Sequence, residues 1–307
     1  MTTLGYIGLG AMGSRVAKRL LNAGYTVTGY NRTPGKAQWL VDSGLRMVDS
    51  PRAVVEASDI TFSMVTNTQA LEAIFNGPNG VHAALAPGKT YIDMSTVSPA
   101  VSRSFAERVK ETGPRMLDAP VSGSVVTLDA GRVSLMVGGE RAVYERVLPV
   151  LQAIGPVVNY IGENGQAVLM KIAINLNLQI QFAGMVEGLL LAEKGGIPRE
   201  VALQAFLDSV LASPSLKYRA PFITNAPDEV WFNVGMMQKD MLLALEMGRK
   251  LDVPMPTTAL TNEFLTAARA AGLAEHDFYI IFESMAKAAG VERPVAALKT
   301  KPSPTGD

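Results

Sequence analysis

The chain has 307 residues, about twice the usual length of a single domain, so we expect two domains with separate cores. Hydrophobic residues make up 48% and charged residues 18%, which excludes a disordered or fibrous protein. Lys+Arg and Asp+Glu both number 28, so no net charge attracts nucleic acid or an anionic membrane. The absence of cysteine excludes disulfides, thiolate zinc sites and a cysteine nucleophile, and no metal site is predicted.

Neither a signal peptide nor a membrane span is expected. The first apolar run, Leu4 to Ile7, begins almost at Met1 and leaves no room for a basic and apolar leader. The most apolar long stretch, Ile172 to Val186, contains four amide side chains and is too short to cross a bilayer. We therefore expect a soluble, cytoplasmic protein.

Short apolar runs alternate with helical patterns up to about residue 161. This alternation is typical of βαβ units and predicts a parallel sheet with helices on both faces. The predicted strands lie near residues 4–7, 26–30, 60–65, 90–93, 115–118, 133–137 and 157–160. We expect residues 1–161 to form a Rossmann-type doubly wound domain of the α/β class.

The pattern changes after Gly162. From about Gly165 to Lys194 there is no proline and apolar residues recur at helical spacing, which predicts one long interdomain helix of about 45 Å. Further helical patterns follow near residues 198–209, 235–251, 256–272 and 277–289. We expect residues 162–290 to form an all-α C-terminal domain, and residues 291–307 to form a tail that is disordered at its end. The apolar helices favour a homo-oligomer, a dimer or tetramer, formed through this domain.

The first predicted strand is followed by Gly8–Leu9–Gly10–Ala11–Met12–Gly13, the G-x-G-x-x-G pattern of dinucleotide-binding proteins. Gly8 permits a tight turn, Gly10 lets the backbone approach a pyrophosphate, and Gly13 lets helix and strand pack closely. The helix N-terminus then faces the negative charge. All six residues are predicted cofactor contacts; the alternative is a glycine-rich turn in another kind of α/β protein.

The second strand ends in Asn31, Arg32 and Thr33, where an NAD enzyme usually carries an acid for the ribose 2′-hydroxyl. Arg32 can pair with a 2′-phosphate, Asn31 and Thr33 can donate to it, and Lys36 lies one turn further. We therefore predict NADP (NADPH) as the cofactor. The alternative is that Arg32 and Lys36 are solvated surface charges.

Reduction of a carbonyl requires a proton donor. His82 and His276 lie in polar connections and are weak candidates. Lys171 is the only charged residue between Glu163 and Glu187 on the long helix, and burial would lower its pKa towards a useful value. Alternatively, Lys171 extends to water or pairs with a carboxylate. From the helix pattern alone, both interpretations stay open.

The sequence resembles the β-hydroxyacid dehydrogenase family, which includes 3-hydroxyisobutyrate dehydrogenases and glyoxylate or succinic semialdehyde reductases. The resemblance covers nearly the whole chain. Four segments carry it: the glycine loop, Asp118–Ala119–Pro120–Val121–Ser122–Gly123, Gly162–Glu163–Asn164–Gly165 leading to Lys171 and Asn175, and Lys239–Asp240.

The resemblance implies roles for individual residues. It implies that Lys171 is the acid/base and that Ser122 and Gly123 bind the substrate carboxylate, while Thr96 and Lys239 contact the cofactor near the nicotinamide. Ser124, Asn175 and Phe232 are further predicted substrate contacts, and Met64 and Val65 further cofactor contacts. For Phe232, ordinary core packing is an equally good interpretation.

Two departures from the family pattern favour its glyoxylate and succinic semialdehyde reductase branch. Ser124 replaces a second glycine, and Ile174–Asn175 replaces two consecutive asparagines. The loop Val125–Val126–Thr127–Leu128–Asp129 matches neither branch well, which leaves the size of the substrate open.

We predict an NADPH-dependent reductase of small aldehyde or keto acids, with the proton from Lys171. We expect its partner to be a small carboxylate-bearing aldehyde or hydroxy acid. We expect the protein to bind neither nucleic acid nor a membrane. A decarboxylating 6-phosphogluconate dehydrogenase is disfavoured because the turns after Lys171 offer no second acid. The alternatives are a 3-hydroxyisobutyrate-type dehydrogenase working in the oxidative direction, an imine reductase, and a non-catalytic NADP-binding scaffold.

Overall fold

The computed structural model describes residues 2–291. The chain divides into two compact units, the first ending at Lys171 and the second beginning at Ile172. Apart from Val291, the predicted tail lies outside the described residues.

The first unit is built on one twisted sheet. Its strands are β1 (Thr3–Ile7), β2 (Thr26–Tyr30), β3 (Arg46–Met47), β4 (Ile60–Ser63), β5 (Thr90–Asp93), β6 (Arg115–Asp118), β7 (Val121–Ser122), β8 (Ser134–Gly139) and β9 (Val157–Gly162). They lie in the order β3-β2-β1-β4-β5-β6-β8-β7, and β9 pairs with β8. The pairs from β3 to β6 are parallel, whereas β8 is antiparallel to β6 and β7. The strand order reverses between β1 and β4, and this switch point is where such sheets bind dinucleotides.

Helices cover both faces of the sheet. They are α1 (Ala11–Asn22), α2 (Gln38–Val41), α3 (Pro51–Glu56), α4 (Thr68–Phe75), α5 (Pro99–Glu111), α6 (Val125–Asp129) and α7 (Arg141–Ile154). Neighbouring residues of one strand enter different cores: Tyr6 belongs to one cluster and Ile7 to the other, and Ile92 and Tyr91 divide in the same way. This period of two, with a core on each side, explains why Leu4, Tyr6 and Ile7 in the central strand β1 are all apolar.

The second unit is helical. After the long α8 (Gln166–Lys194), which runs across the boundary between the units, come α9 (Arg199–Asp208), α10 (Pro214–Arg219), α11 (Val234–Lys250), α12 (Pro256–Ala270) and α13 (Ile281–Ala288). Its core contains Phe182, Met237 and Phe278, all with no exposed surface. Within residues 2–291, no helix combines the length and the apolar character needed to cross a membrane.

The predicted fold class is confirmed, with differences in the short elements. The two-residue strands β3 and β7 and the short helices α2, α6 and α10 were not predicted, because segments this short carry no readable periodicity. The last predicted helix, near 277–289, is shorter: a 3-10 turn occupies Phe278–Ile280 and α13 begins at Ile281.

Candidate active site

The glycine loop joins β1 to α1 at the switch point. Gly8 has a φ of +92°, and a Cβ there would lie 2.2 Å from the Met64 carbonyl oxygen, so only glycine fits this turn. A Cβ at Gly13 would lie 2.1 Å from the Gly8 carbonyl oxygen, since α1 packs directly on the loop. Gly10, which precedes α1, is exposed, and a Cβ there would meet no atom within 4 Å. The loop thus leaves open space at a helix N-terminus, as a pyrophosphate requires.

Asn31 links the end of β2 to the glycine loop through hydrogen bonds. Its Oδ1 accepts a hydrogen bond from the Leu9 N–H at 3.0 Å, and its Nδ2 donates to the Thr33 carbonyl at 2.9 Å. Arg32 and Thr33 are exposed and Lys36 is half-buried. Neither Arg32 nor Lys36 forms an ion pair within the described part of the chain. Two cations therefore remain available beside the loop.

Three polar residues lie side by side where β4, β5 and β6 end. Ser63 is in register with Asp93, and Asp93 with Asp118. Asp93 has no exposed surface, and its Oδ1 accepts hydrogen bonds from Ser63 Oγ and Ser95 Oγ, each at 2.7 Å. Burial, with a contribution from the neighbouring charge of Asp118, raises the pKa of the Asp93 carboxyl to about 6, although the serine hydrogen bonds oppose the shift.

Asp118 holds the beginning of α8. Its Oδ1 accepts from the Gly165 N–H at 2.8 Å, and its Oδ2 accepts from the Val168 N–H at 3.1 Å. Asn164 Nδ2 donates to the Met116 carbonyl at 3.1 Å and so ties the same turn to β6. Burial raises the pKa of Asp118, although these donors favour its charged form. The Gly162–Gly165 segment thus supplies two donors, Asn164 Nδ2 and the Gly165 N–H, that attach the start of α8 to β6.

Lys171 lies less than one turn beyond Val168. It is only 9% exposed, and it shares a buried stripe of α8 with Asn175 and Gln179, each one turn further along. Lys171 is therefore part of a long helix whose first turn is hydrogen-bonded to Asp118 at the end of β6.

The predicted carboxylate loop follows β6. Ser122 is half-buried in β7, and Gly123 is exposed with a φ of +149°. A Cβ at Gly123 would lie 2.6 Å from Thr127 Oγ1 and 2.7 Å from a Val133 methyl, so a side chain is excluded. The Ser124 N–H already donates to Thr127 Oγ1 at 2.7 Å and caps α6. The Ser124 N–H is therefore already engaged at the start of α6.

In the second unit, Asn175 contacts the Lys239–Asp240 segment. Its Nδ2 donates to Asp240 Oδ2 at 2.5 Å, and Lys239 Nζ lies 2.8 Å from Asp240 Oδ1. Asp240 is 1% exposed, so α11 carries a buried carboxylate with an amide and an ammonium group beside it. The predicted residues Asn175 and Lys239 are thus joined through Asp240.

The remaining predicted residues have simpler surroundings. Phe232 is half-buried against the core of the second unit, with its ring centroid 6.2 Å from that of Phe278. The His82 ring packs on Phe75 with a centroid distance of 5.4 Å, and His276 lies in the connection after α12. Met64, Val65 and Thr96 lie in the loops after β4 and β5 and are half-buried.

Sequence reasoning missed the roles of Asp93, Asp118 and Asp240. Asp118 and Asp240 stand inside motifs that were recognised, yet their partners lie 47 to 65 residues away in the sequence. Asp93 ends an apolar strand, and a charged residue at the carboxyl end of a parallel strand is a signal that could have drawn attention to it.

Comparison with known proteins agrees with this geometry. Residues 3–162 match the family described as the NAD binding domain of 6-phosphogluconate dehydrogenase, and residues 165–285 match the NAD-binding domain of NADP-dependent 3-hydroxyisobutyrate dehydrogenase. A glyoxylate/succinic semialdehyde reductase of Arabidopsis thaliana is 32% identical over 92% of this chain and 79% of its own. A 2-(hydroxymethyl)glutarate dehydrogenase of Eubacterium barkeri is 34% identical over 94% and 96%. The 3-hydroxyisobutyrate dehydrogenase of Salmonella typhimurium, 26% identical, superposes with a TM-score of 0.85 over 92% of this chain and 100% of its own.

The sheet order, the glycine loop at the switch point and these matches define an oxidoreductase that uses a nicotinamide dinucleotide. The chain belongs to the β-hydroxyacid dehydrogenase family, which confirms the resemblance found in the sequence.

Proposed function

We propose that the protein is an NADPH-dependent reductase of small aldehyde or keto acids of the glyoxylate/succinic semialdehyde type. The observation that carries the proposal is the buried Lys171, held on a helix whose first turn is hydrogen-bonded to Asp118 at the end of β6. The Ser122–Gly123 loop follows Asp118 after three residues of the chain. A proton donor and an anion-binding loop are thus supported by one carboxylate.

The preference for NADPH is supported by the end of β2. The segment Asn31–Arg32–Thr33 contains no carboxylate to accept from a ribose 2′-hydroxyl, and Arg32 and Lys36 are not engaged in ion pairs with the described residues. A guanidinium group pairs well with a phosphate. The glycine loop, with its open space at Gly10, fits the pyrophosphate of the same cofactor.

The choice of substrate rests on the loop and on the relatives. Their names refer to glyoxylate, succinic semialdehyde, 2-(hydroxymethyl)glutarate and 3-hydroxyisobutyrate, and each of these compounds carries a carboxylate. Here the Ser122 hydroxyl and the Gly123 N–H would hold that group. A fixed carboxylate orients the carbonyl at the other end of a short molecule.

In this mechanism the residues orient the substrate and deliver one proton. When bound, NADPH supplies the hydride that is added to the carbonyl carbon. Lys171 Nζ donates its proton to the carbonyl oxygen, which becomes the hydroxyl group of the product.

The test is turnover by the full-length protein, measured from NADPH absorbance. Succinic semialdehyde and glyoxylate should be reduced, and butanal, which has the same four-carbon chain as succinic semialdehyde without the acid, should serve as the matched control. NADH is measured in parallel. A protein that binds NADPH and reduces neither acid, or that oxidises 3-hydroxyisobutyrate with far higher kcat/KM, would refute the proposal.

A further inference from the structure

The buried carboxylate of Asp93 accepts hydrogen bonds from two serine hydroxyl groups. Through them it connects β4 and β5 with the loops that follow these two strands. Tyr91 OH lies 2.6 Å from Ser63 Oγ, and Ser63 Oγ donates to Asp93 Oδ1. From the other side, Ser95 Oγ donates to the same oxygen and accepts from the Val65 N–H at 2.9 Å. The two serine hydroxyls therefore each accept one hydrogen bond and donate another, the Tyr91 hydroxyl donates to Ser63, and Asp93 Oδ1 is the common acceptor.

The two loops joined in this way follow β4 and β5. In this strand order the end of β2 receives the adenosine ribose, so the other half of a dinucleotide lies on the β4 and β5 side of the switch point. Val65 and Thr96, the neighbour of Ser95, therefore face the nicotinamide half of the cofactor under the proposed function. The chain Asp93–Ser95–Val65 fixes the separation of these two loops.

Ordinary fold stability does not require this arrangement. Asp93 Oδ2 is buried and has no hydrogen-bond partner within residues 2–291. An unpaired buried carboxylate oxygen costs free energy that an apolar residue would avoid. A group that lowers the stability of the fold in this way is typical of functional sites, where the loss of stability is tolerated because the group maintains a required geometry.

We propose that Asp93 is a positioning residue for the nicotinamide half of the cofactor, acting through Ser95 and the Val65 N–H. The inference rests on the proposed function for the identity of the dinucleotide. It predicts that loss of the Ser95 hydroxyl weakens binding of the whole cofactor and leaves binding of its adenosine half unchanged.

The experiment compares two ligands in the full-length protein without substrate. NADPH binding is followed by nucleotide fluorescence, and adenosine 2′,5′-bisphosphate, which lacks the nicotinamide half, is measured by calorimetry. Ser95→Ala should weaken NADPH binding by about tenfold, in keeping with loss of a hydrogen-bonded loop contact, and leave the Kd of the bisphosphate within twofold. The matched control is Ser102→Ala, because the Ser102 hydroxyl is also buried and has no hydrogen-bond partner among the described residues. This variant should change neither Kd.

Variants of Asp93 provide the second measurement. Asp93→Ala should reproduce the selective loss of NADPH affinity. Asp93→Asn should restore most of it, because the amide oxygen can replace Oδ1 while the NH₂ group occupies the place of Oδ2. If Ser95→Ala leaves the NADPH affinity unchanged, or weakens both ligands equally, the proposal is wrong. Because these readouts use no substrate, a protein that binds NADPH but reduces no acid would refute the proposed function alone.

Discussion

The Asp118 carboxylate at the end of β6 accepts a hydrogen bond from the Val168 N–H in the first turn of α8, 50 residues further along the chain. The first N–H groups of a helix lack partners within the helix, so a carboxylate at this position both satisfies a donor and interacts favourably with the helix dipole. The contact fixes where α8 begins, and hence where Lys171 lies relative to the Ser122–Gly123 loop.

Asp118→Asn is therefore expected to impair both stability and turnover. Both carboxylate oxygens accept backbone N–H groups, and an asparagine would direct its NH₂ group at one of these donors. We expect a loss of about 1–3 kcal/mol in the free energy of unfolding and a clear fall in kcat. Thermal unfolding and kcat on the same preparation check this. Asp93→Asn is the comparison, since one Asp93 oxygen has no hydrogen-bond partner among the described residues, and equal effects of the two variants would contradict the assignment.

Lys171→Ala should remove the proton donor without disturbing the dinucleotide site. A general acid contributes a factor of roughly 10² to 10⁴, so kcat should fall by about that much while the Kd of NADPH changes little. Lys171→Arg should not restore activity, because a guanidinium group does not release its proton. Lys194→Ala, at the exposed end of the same helix, is the control. Near wild-type turnover of a folded Lys171→Ala protein would disprove the mechanism.

Arg32→Asp should reverse the preference for NADPH over NADH. The substitution removes a partner of the 2′-phosphate and introduces a repelling charge that can accept from a 2′-hydroxyl. The ratio of kcat/KM for the two cofactors should change by at least about tenfold, in keeping with the loss of one charged hydrogen bond. Arg249→Asp makes the same charge change on the exposed end of α11 and should leave the ratio unaltered. Equal use of NADH by the wild-type protein would contradict the assignment of Arg32 to the 2′-phosphate.

Ser122→Ala should weaken discrimination between succinic semialdehyde and butanal. Loss of one charge-assisted hydrogen bond raises the KM for the acid and leaves the KM for the uncharged aldehyde nearly unchanged. The ratio of the two kcat/KM values should therefore fall by about tenfold. If the ratio of the two kcat/KM values is unchanged in Ser122→Ala, the substrate carboxylate does not bind at Ser122.

Asp93 predicts a pH dependence of stability. Its folded pKa of about 6 lies above the ordinary aspartate value of 3.8, so the stability contributed by the neutral carboxyl is present below pH 4 and is lost as the pH rises through 6. Asp118 acts in the same direction, and Tyr6 and Tyr91, also buried beside Asp93, have raised pKa values and stay neutral. Between pH 4.5 and 7, the Tm of Asp93→Asn relative to wild type should rise, by an amount corresponding to at most about 3 kcal/mol. A difference in Tm independent of pH would contradict this.

The sequence predicted the order of strands and helices well because each long element has its own periodicity. The strands β1, β5 and β6 have buried apolar residues on both faces and are bounded by polar loops, and α8 contains no proline. The antiparallel pairing of β8 with β6 could not be predicted, because local pattern does not encode strand direction.

The candidate site was predicted only in part, for a related reason. Glycines and the isolated Lys171 stand out from their neighbours, so a single sequence reveals them. The sequence places Asp93 and Asp118 at strand ends but does not show what they bind, because their donors, such as Ser63 and the Val168 N–H, reach them only after folding. Residues that hold other residues in place become visible only in three dimensions.

Asn31 and Arg32 are adjacent but have separable tasks. Asn31 is committed to the scaffold through Leu9 and Thr33, whereas the Arg32 side chain extends into solvent. Under the proposed function, a substitution at position 32 can therefore change the cofactor preference without removing the hydrogen bonds that hold the glycine loop. Position 31 has no such freedom, since any residue there must still accept the Leu9 N–H.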